Sequence, residues 1–262
     1  MPVLELDGRR IHYIDQGDGT PILWIHGYPL SSRLFERQLA IPRARHIVPD
    51  LPGFGASDPP TGDATLDDYA RDLVRLLDEL SIDRAVVAGV SMGGYIVFAI
   101  LRLAPERVRG VILIDTRETP DTEEARKGRM RSIEIARERG VGPIADEMLP
   151  KMLTPATLHS NDARVEATHA MMKRATREGV VTALYAMAHR PDSTENLRQI
   201  RVPTLIAVGT HDGITPPSDA QRMKENLANA TLVEIDDAAH LSNLEQAGAF
   251  NRAVEVFLRE LP

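Results

Sequence analysis

Short, uninterrupted apolar runs recur along the chain and predict the strands of a buried sheet. They lie at Ile22–Ile25, His46–Val48, Ala85–Val90, Val108–Ile114, Thr204–Val208 and Thr231–Ile235. Ahead of them, Val3–Leu6 and an alternating strand around Ile11 flank Asp7-Gly8. Because Asp-Gly is favoured in tight hairpin turns, the chain is predicted to open with an antiparallel pair of strands.

Two segments between these runs have apolar residues at helical spacing. Leu66–Leu80 follows Thr65, a residue type that caps helix N-termini. Met92–Leu103 ends shortly before Pro105, which is typical of a helix C-terminus. Strands that alternate with helices indicate a mostly parallel sheet, because each parallel crossover needs a covering helix. The predicted fold class is therefore α/β, with helices on both faces of the sheet.

The alternation stops between Thr116 and Ile200, where no strand-like run occurs. Several helical segments are predicted there, divided at Gly140, Gly142-Pro143, Pro155 and Pro191. We interpret residues 116–200 as an inserted helical cap, or lid. The core is then formed by residues 1–115 and 201–262.

Composition narrows the classes of function. The 262 residues include 31 Lys and Arg against 38 Asp and Glu, so the chain lacks the basic surplus typical of nucleic-acid-binding proteins. The absence of Cys excludes disulfides, thiolate nucleophiles and Cys-ligated metals. The chain does not open with a secretory pattern, and its apolar runs are far shorter than the about 20 residues that span a bilayer. We therefore expect a cytoplasmic protein that binds neither nucleic acid nor membranes.

The segment Gly89-Val90-Ser91-Met92-Gly93 joins an apolar strand to a helical segment. Gly-x-Ser-x-Gly in this position is typical of a nucleophile elbow, a sharp strand-to-helix turn that exposes the serine hydroxyl. The small residues two positions before and after the serine prevent collisions with neighbouring backbone. Ser91 is therefore the predicted nucleophile.

A serine hydroxyl needs a base to accept its proton, and His is the natural candidate near neutral pH. His240 follows the last predicted strand, where a loop reaches the carboxyl edge of the sheet, and His211 is its nearest competitor. Asp212 follows the preceding strand and is the predicted acid, since the order Ser, Asp, His is that of hydrolases with this elbow. Asp115 ends another strand at the same edge and stays open as the alternative acid.

Attack on a carbonyl also requires donors for the oxyanion that forms, and two backbone amides suffice. Met92 follows the nucleophile and is predicted to provide one amide. Tyr28 lies in a loop that ends an earlier strand and is predicted to provide the other. Gly27 allows a close approach of this loop, and Pro29 helps to fix its turn.

Together these segments resemble the α/β-hydrolase superfamily over nearly the whole chain. The resemblance is carried by His26-Gly27-Tyr28-Pro29, Asp50–Asp58, Gly89–Gly93, Asp212 and His240. It implies an eight-stranded sheet with the cap inserted after the sixth strand, and residues 50–58 supporting the rim of the site. It also implies attack by Ser91, an acyl-enzyme, water activated by His240, and no metal or organic cofactor.

Serine at position 91 argues against haloalkane dehalogenases and epoxide hydrolases, which resemble this chain but carry Asp there. The resemblance therefore implies a carboxylic-ester hydrolase that acts on a small-molecule ester or lactone. Enol-lactone hydrolysis, carbon–carbon bond hydrolysis and cofactor-free perhydrolysis are compatible with the same three side chains and stay open. So does a small-molecule receptor without turnover. Tyr95 and Arg117 adjoin the same edge of the sheet and are weaker candidates for substrate contact.

Overall fold

The computed structural model describes residues 2–160 and 162–261, and one sheet of eight strands runs through this part of the chain. The strands are β1 (Val3–Leu6), β2 (Arg9–Gln16), β3 (Thr20–Ile25), β4 (Ala44–Pro49), β5 (Ala85–Val90), β6 (Val108–Ile114), β7 (Thr204–Gly209) and β8 (Ala230–Ile235). Their order across the sheet is β1-β2-β4-β3-β5-β6-β7-β8. The pairs β1–β2 and β2–β4 are antiparallel, whereas the remaining pairs are parallel. The predicted α/β class is confirmed.

The opening hairpin is also confirmed. Asp7 and Gly8 form its turn with φ values of 51° and 76°, and β1 pairs with β2 from Val3–His12 to Leu6–Arg9. The second strand continues to Gln16 and pairs with β4, which the sequence analysis did not predict. Polar residues near the end of β2 hide this extension, because they interrupt the apolar pattern on which the prediction depends.

Helices cover both faces of the sheet. They are α1 (Leu66–Glu79), α2 (Met92–Leu103), α3 (Glu123–Arg139), α4 (Gly142–Met152), α5 (Pro155–His159), α6 (Ala163–Lys173), α7 (Arg177–Ala188), α8 (Thr194–Leu197), α9 (Pro217–Asn226), α10 (Ser242–Glu245) and α11 (Ala247–Arg259). The apolar faces of α1, α2 and α9 belong to one buried cluster, and that of α11 belongs to another, with Trp24. Thr65 caps α1 as predicted.

Helices α3–α8 all lie between β6 and β7, and we call residues 116–200 the insertion. The insertion packs on the segment that follows β4. The Thr176 amide donates to the Gly53 carbonyl at 2.8 Å, and a Cβ built on Gly53 would lie 2.4 Å from the Cα of Gly179 in α7. Across the described ranges, the helices are too short or too polar to cross a membrane.

Candidate active site

Ser91 lies at a sharp turn between β5 and α2. Its backbone has φ 53° and ψ −114°, a positive φ that residues with side chains rarely adopt, and its amide donates to the Ile114 carbonyl at 2.9 Å. The flanking glycines have no space for a side chain. A Cβ on Gly93 would lie 2.1 Å from the Ile25 oxygen, and one on Gly89 would lie 2.3 Å from the Gly93 carbonyl. The predicted strand–turn–helix arrangement is thus confirmed.

Gly93→Ala is expected to lower the free energy of unfolding by about 3 kcal/mol or more, because the new methyl group would collide with backbone that cannot move aside. Gly128→Ala is the matched control. Gly128 lies within α3 with open space around its Cα, so alanine there should raise stability by about 0.5–1 kcal/mol. Urea unfolding followed by circular dichroism compares the two variants. A Gly93→Ala protein as stable as the wild type would contradict this packing.

The structure brings three predicted side chains together at the carboxyl edge of the sheet. His240 Nε2 lies 2.9 Å from Ser91 Oγ, and His240 Nδ1 lies 2.8 Å from Asp212 Oδ2. His240 and Asp212 are buried, whereas Ser91 is partly exposed. A chain of this kind can move the serine proton to the imidazole while the carboxylate orients the ring.

The loop after β7 fixes the carboxylate of Asp212. Its Oδ1 accepts hydrogen bonds from the amides of Ile214 and Thr215 at 2.8 and 3.0 Å, and its Oδ2 accepts one from the Thr215 hydroxyl at 2.6 Å. The sequence analysis missed Thr215. The pair Asp212-Gly213 could have indicated it. Asp side chains in turns accept hydrogen bonds from amides two and three residues further along the chain.

His240 and Asp212 each shift the pKa of the other in the direction that favours its charged form. Burial disfavours the imidazolium, but the charge of Asp212 and its hydrogen bond outweigh burial and raise the pKa of His240 above its ordinary value. Burial likewise opposes ionisation of Asp212, yet His240 and the Thr215 donors lower the pKa of this carboxyl. The arrangement favours a carboxylate beside a readily protonated imidazole, as a general base requires.

Backbone near Ser91 comes from two elements. A Cβ on Gly27 would lie 3.3 Å from the Cβ of Ser91, so this glycine packs directly against the elbow. The amide of Tyr28 therefore belongs to the loop that borders Ser91. Met92 begins α2, and an amide at the start of a helix has no partner within the helix. Both residues predicted to bind an oxyanion thus lie on segments next to the serine.

The sequence that builds this site matches a known protein family. The model of the Alpha/beta hydrolase family matches residues 22–253. The chain belongs to this family. One curated relative of the hydrolase is 3-oxoadipate enol-lactonase 2 from Acinetobacter baylyi, with 30% identity over 246 residues that cover 93% of this chain and 90% of the relative.

Two solved structures resemble the hydrolase along its whole length. A thermophilic esterase from Thermogutta terrifontis, with malate bound, has 37% sequence identity and a TM-score of 0.94, and the match covers 98% of this chain and 96% of the esterase. The enol-lactonase from Burkholderia xenovorans LB400 has 28% identity and a TM-score of 0.92, with 99% of this chain and 100% of the lactonase covered.

Asp115, the alternative acid, holds two segments of the hydrolase together. Its Oδ1 accepts a hydrogen bond from the Gly209 amide at 2.9 Å, and its Oδ2 accepts two from the amide and hydroxyl of Ser242 at 2.9 and 2.7 Å. Burial, reinforced by the charge of Asp212, raises the pKa of Asp115 to about 7. Asp115 thus ties the end of β7 to the start of α10, two residues beyond His240.

A further buried carboxylate, Glu245, links the insertion of the hydrolase to the loop that carries His240. Its Oε1 accepts hydrogen bonds from the Thr154 amide and hydroxyl and from the Thr157 hydroxyl, at 2.9, 2.8 and 2.6 Å. Its Oε2 accepts one from the Ala239 amide at 2.7 Å. The sequence analysis missed this residue, because its insertion partners lie 91 and 88 positions away and leave no local pattern.

Neither His211, the competing base, nor His26 takes part in the hydrogen-bonded chain from Ser91 to Asp212. His211 is exposed. His26 is fully buried, with Nδ1 2.9 Å from the Gly27 oxygen and with Nε2 accepting the Leu51 amide at 3.0 Å. Because burial lowers the pKa of His26, its neutral ring holds the loop beside Ser91 and both of its nitrogens are used.

Arg117, a candidate for substrate contact, supports the loop that carries Asp212. Its guanidinium lies 3.1 Å from Asp219 and donates to the Ile214 carbonyl. Within residues 2–160 and 162–261, no group of three or more His, Asp or Glu side chains is arranged to hold a metal ion.

Proposed function

We propose that this hydrolase cleaves carboxylic esters of small molecules, with Ser91 as nucleophile, His240 as base and Asp212 as acid. The observation that carries the proposal is the continuous hydrogen-bonded chain from the serine hydroxyl through the imidazole to the carboxylate, with steps of 2.9 and 2.8 Å. The esterase from Thermogutta terrifontis supports this class of substrate.

In acylation, His240 Nε2 accepts the proton of Ser91 as Oγ attacks the ester carbonyl. The carbonyl electron pair moves onto oxygen, where the amides of Tyr28 and Met92 donate hydrogen bonds to it. When the tetrahedral intermediate collapses, the bond to the alcohol oxygen breaks and the alcohol takes the proton from His240. The acyl group remains on Ser91.

In deacylation, His240 accepts a proton from water as the water attacks the acyl carbon, and then returns the proton to Ser91 Oγ. Asp212 keeps the imidazole oriented and stabilises its charged form in both steps. We propose that the insertion acts as the cap over this reaction. Buried residues of α7, such as Val180 and Met187, share one apolar cluster with Tyr28 and Tyr95, so this helix would shape the space for the acyl and alcohol groups.

Hydrolysis of an enol-lactone is the second candidate. The enol-lactonases from Acinetobacter baylyi and Burkholderia xenovorans, at 30% and 28% identity over nearly the whole chain, favour it specifically. A lactone would open by the same steps, except that the leaving oxygen stays tethered to the acyl group. A receptor without turnover is disfavoured, because it needs no hydrogen-bonded nucleophile and base.

An ester panel tests the proposal. We expect p-nitrophenyl esters, from acetate to long acyl chains, to be hydrolysed with an optimum set by the pocket, and an enol-lactone assayed in parallel distinguishes the second candidate. A fluorophosphonate probe should add once to the protein at Ser91, as peptide mass spectrometry would establish. A protein that turns over none of these substrates and carries no label on Ser91 would disprove the proposal.

The pH dependence of kcat/KM tests His240 as the base. Activity on a neutral ester should rise with pH and reach half its maximum above 6.5, because only the neutral imidazole accepts a proton and its pKa is raised from that value. Asp115 also raises the pKa of His240, so Asp115→Asn should move the midpoint to lower pH. A rate that stays constant between about pH 5 and about pH 9 would contradict the assignment.

A further inference from the structure

The loop that carries His240 meets the insertion at Glu245. This residue ends α10 and is 6% exposed. Its carboxylate accepts four hydrogen bonds from the described residues. Three of them reach Oε1 from Thr154 and Thr157 in the insertion, whereas Oε2 accepts the amide of Ala239. One buried carboxylate therefore joins the insertion to the residue that precedes His240.

The insertion also holds the backbone of α10. Arg164 Nη1, at the start of α6, donates to the carbonyls of Leu244 and Glu245 at 3.1 and 2.7 Å. The same guanidinium pairs with Asp162, which fixes it beside α10. Because the side chain and the backbone of Glu245 both bind the insertion, the position of α10 depends on how the insertion lies on the core.

On its other side, the His240 loop rests on β7. The Ala238 carbonyl accepts a hydrogen bond from the His211 amide at 2.9 Å. A Cβ built on Gly209, the last residue of β7, would lie 2.2 Å from the carbonyl oxygen of Ala239. The carbonyl of Ala239 thus packs on β7 while its amide binds Glu245 at 2.7 Å. The residue before His240 is therefore held between the sheet and Glu245.

His240 tolerates little displacement. Its two ring nitrogens lie 2.9 Å from Ser91 Oγ and 2.8 Å from Asp212 Oδ2, and hydrogen bonds of this kind are typically shorter than about 3.2 Å. Ala239 and His240 share a planar peptide unit, so a shift of the Ala239 amide also moves the backbone of His240. Misplacing a reacting group by about 1 Å can lower a rate by about 100-fold.

We propose that Glu245 is a positioning residue that makes the placement of His240 depend on the docking of residues 154–157. It acts on the reaction through His240, and the inference rests on the proposed function of Ser91. When residues 154–157 are docked, their donors fix Oε1, and Oε2 then fixes the Ala239 amide. When they are displaced, the carboxylate loses three of its four donors. Its rotation towards water would then release the residue before His240.

Glu245→Gln tests this role directly. Glutamine has a single acceptor oxygen, so its amide nitrogen would face a donor either on Ala239 or in the insertion. We expect kcat and kcat/KM for p-nitrophenyl acetate to fall by the same factor, about 10- to 100-fold per active site. The end point of fluorophosphonate labelling counts the active sites. Glu260→Gln makes the same change at the exposed C-cap of α11 and should leave the rate unchanged.

The pH profile distinguishes positioning from a purely structural role. Burial opposes the imidazolium, but the charge and hydrogen bond of Asp212 raise the pKa of His240. A ring that lies farther from Asp212 should therefore reach half-maximal kcat/KM at lower pH. Asp115 and Arg117 also act on this pKa, and both are unchanged in the variant. A structural role would lower the melting temperature and the number of active sites, but it would leave the rate per site and the pH midpoint unchanged.

Thr157→Val breaks the same connection from the insertion and is the milder change. Thr157 lies in α5 and donates to Glu245 Oε1 at 2.6 Å. The variant should lower the rate per site by about 2- to 10-fold and shift the midpoint in the same direction, which keeps the test open if Glu245→Gln does not fold. In the Glu245→Gln background it should have no further effect. Equal losses in both backgrounds would overturn coupling through Glu245.

Nuclear magnetic resonance separates the positioning from the chemistry, because the ring signals of labelled histidine report the pKa of His240 without a substrate. We expect a lower pKa in Glu245→Gln and Thr157→Val than in the wild type and Glu260→Gln. If esters are hydrolysed but the rate per site and this pKa are the same in all four proteins, the positioning role is wrong and the proposed function stands. If no ester is hydrolysed but the pKa depends on Glu245 and Thr157, the positioning role stands and the proposed function is wrong.

Discussion

Replacing Ser91 with alanine is expected to lower kcat for ester hydrolysis by about 10⁵-fold or more, because no acyl-enzyme can form without the hydroxyl. The fold should persist, since Ser91 Oγ contributes a hydrogen bond to His240 at 2.9 Å but does not fill the core. Steady-state hydrolysis of the best p-nitrophenyl ester measures the loss. Intact-protein mass spectrometry after a fluorophosphonate pulse measures the loss of labelling.

Ser81→Ala is the matched control for this experiment. Ser81 has the same φ of 53° as Ser91 but lies on the surface after α1, so both substitutions place alanine at a residue with positive φ. Ser81→Ala should keep full activity and labelling. An Ser91→Ala protein that retains wild-type turnover would remove Ser91 as the nucleophile.

Asp212→Asn is expected to lower kcat by about 10⁴-fold, the loss seen when the acid of a serine triad becomes an amide. The amide can no longer hold the imidazole in the tautomer that accepts a proton at Nε2, nor stabilise the imidazolium. Since the charge of Asp212 raises the pKa of His240, the residual activity should also have its pH midpoint shifted downward. Stopped-flow or steady-state kinetics across pH measures both effects.

Asp115→Asn should have a smaller effect on activity and a larger one on stability. Its amide nitrogen would face donors on Gly209 or Ser242, and this mismatch costs about 1–3 kcal/mol of unfolding free energy. We expect a loss in kcat of less than about 10-fold. Asp237→Asn, an exposed change in the His240 loop, controls for the substitution itself. A larger loss of kcat in Asp115→Asn than in Asp212→Asn would make Asp115 the acid.

The sequence predicts the sheet well because its strands are buried and apolar. Ala85–Val90 and Val108–Ile114 have the predicted bounds in the structure, since little else explains an apolar run of that length. The elbow is predictable for a related reason, because glycines at fixed spacing around Ser91 are a local steric requirement.

Helix bounds within the insertion are harder to predict. Few residues of α3 and α6 are buried, so their apolar positions set no clear helical face. Interactions that join distant segments are also hidden. The choice between Asp212 and Asp115 depends on where two loops meet, and the hydrogen bonds of Glu245 depend on how the insertion lies on the core.

The hydrogen bonds of Glu245 have a consequence for recombining this hydrolase with its relatives. A chimera that received a foreign insertion would keep the sheet and Ser91, but it would lose the donors on Thr154 and Thr157. The buried carboxylate would then keep only the Ala239 amide as a partner, and its Oε1 would be left unsatisfied close to the backbone that precedes His240. Crossover points should therefore be chosen so that residues 154–157 and 245 come from the same parent.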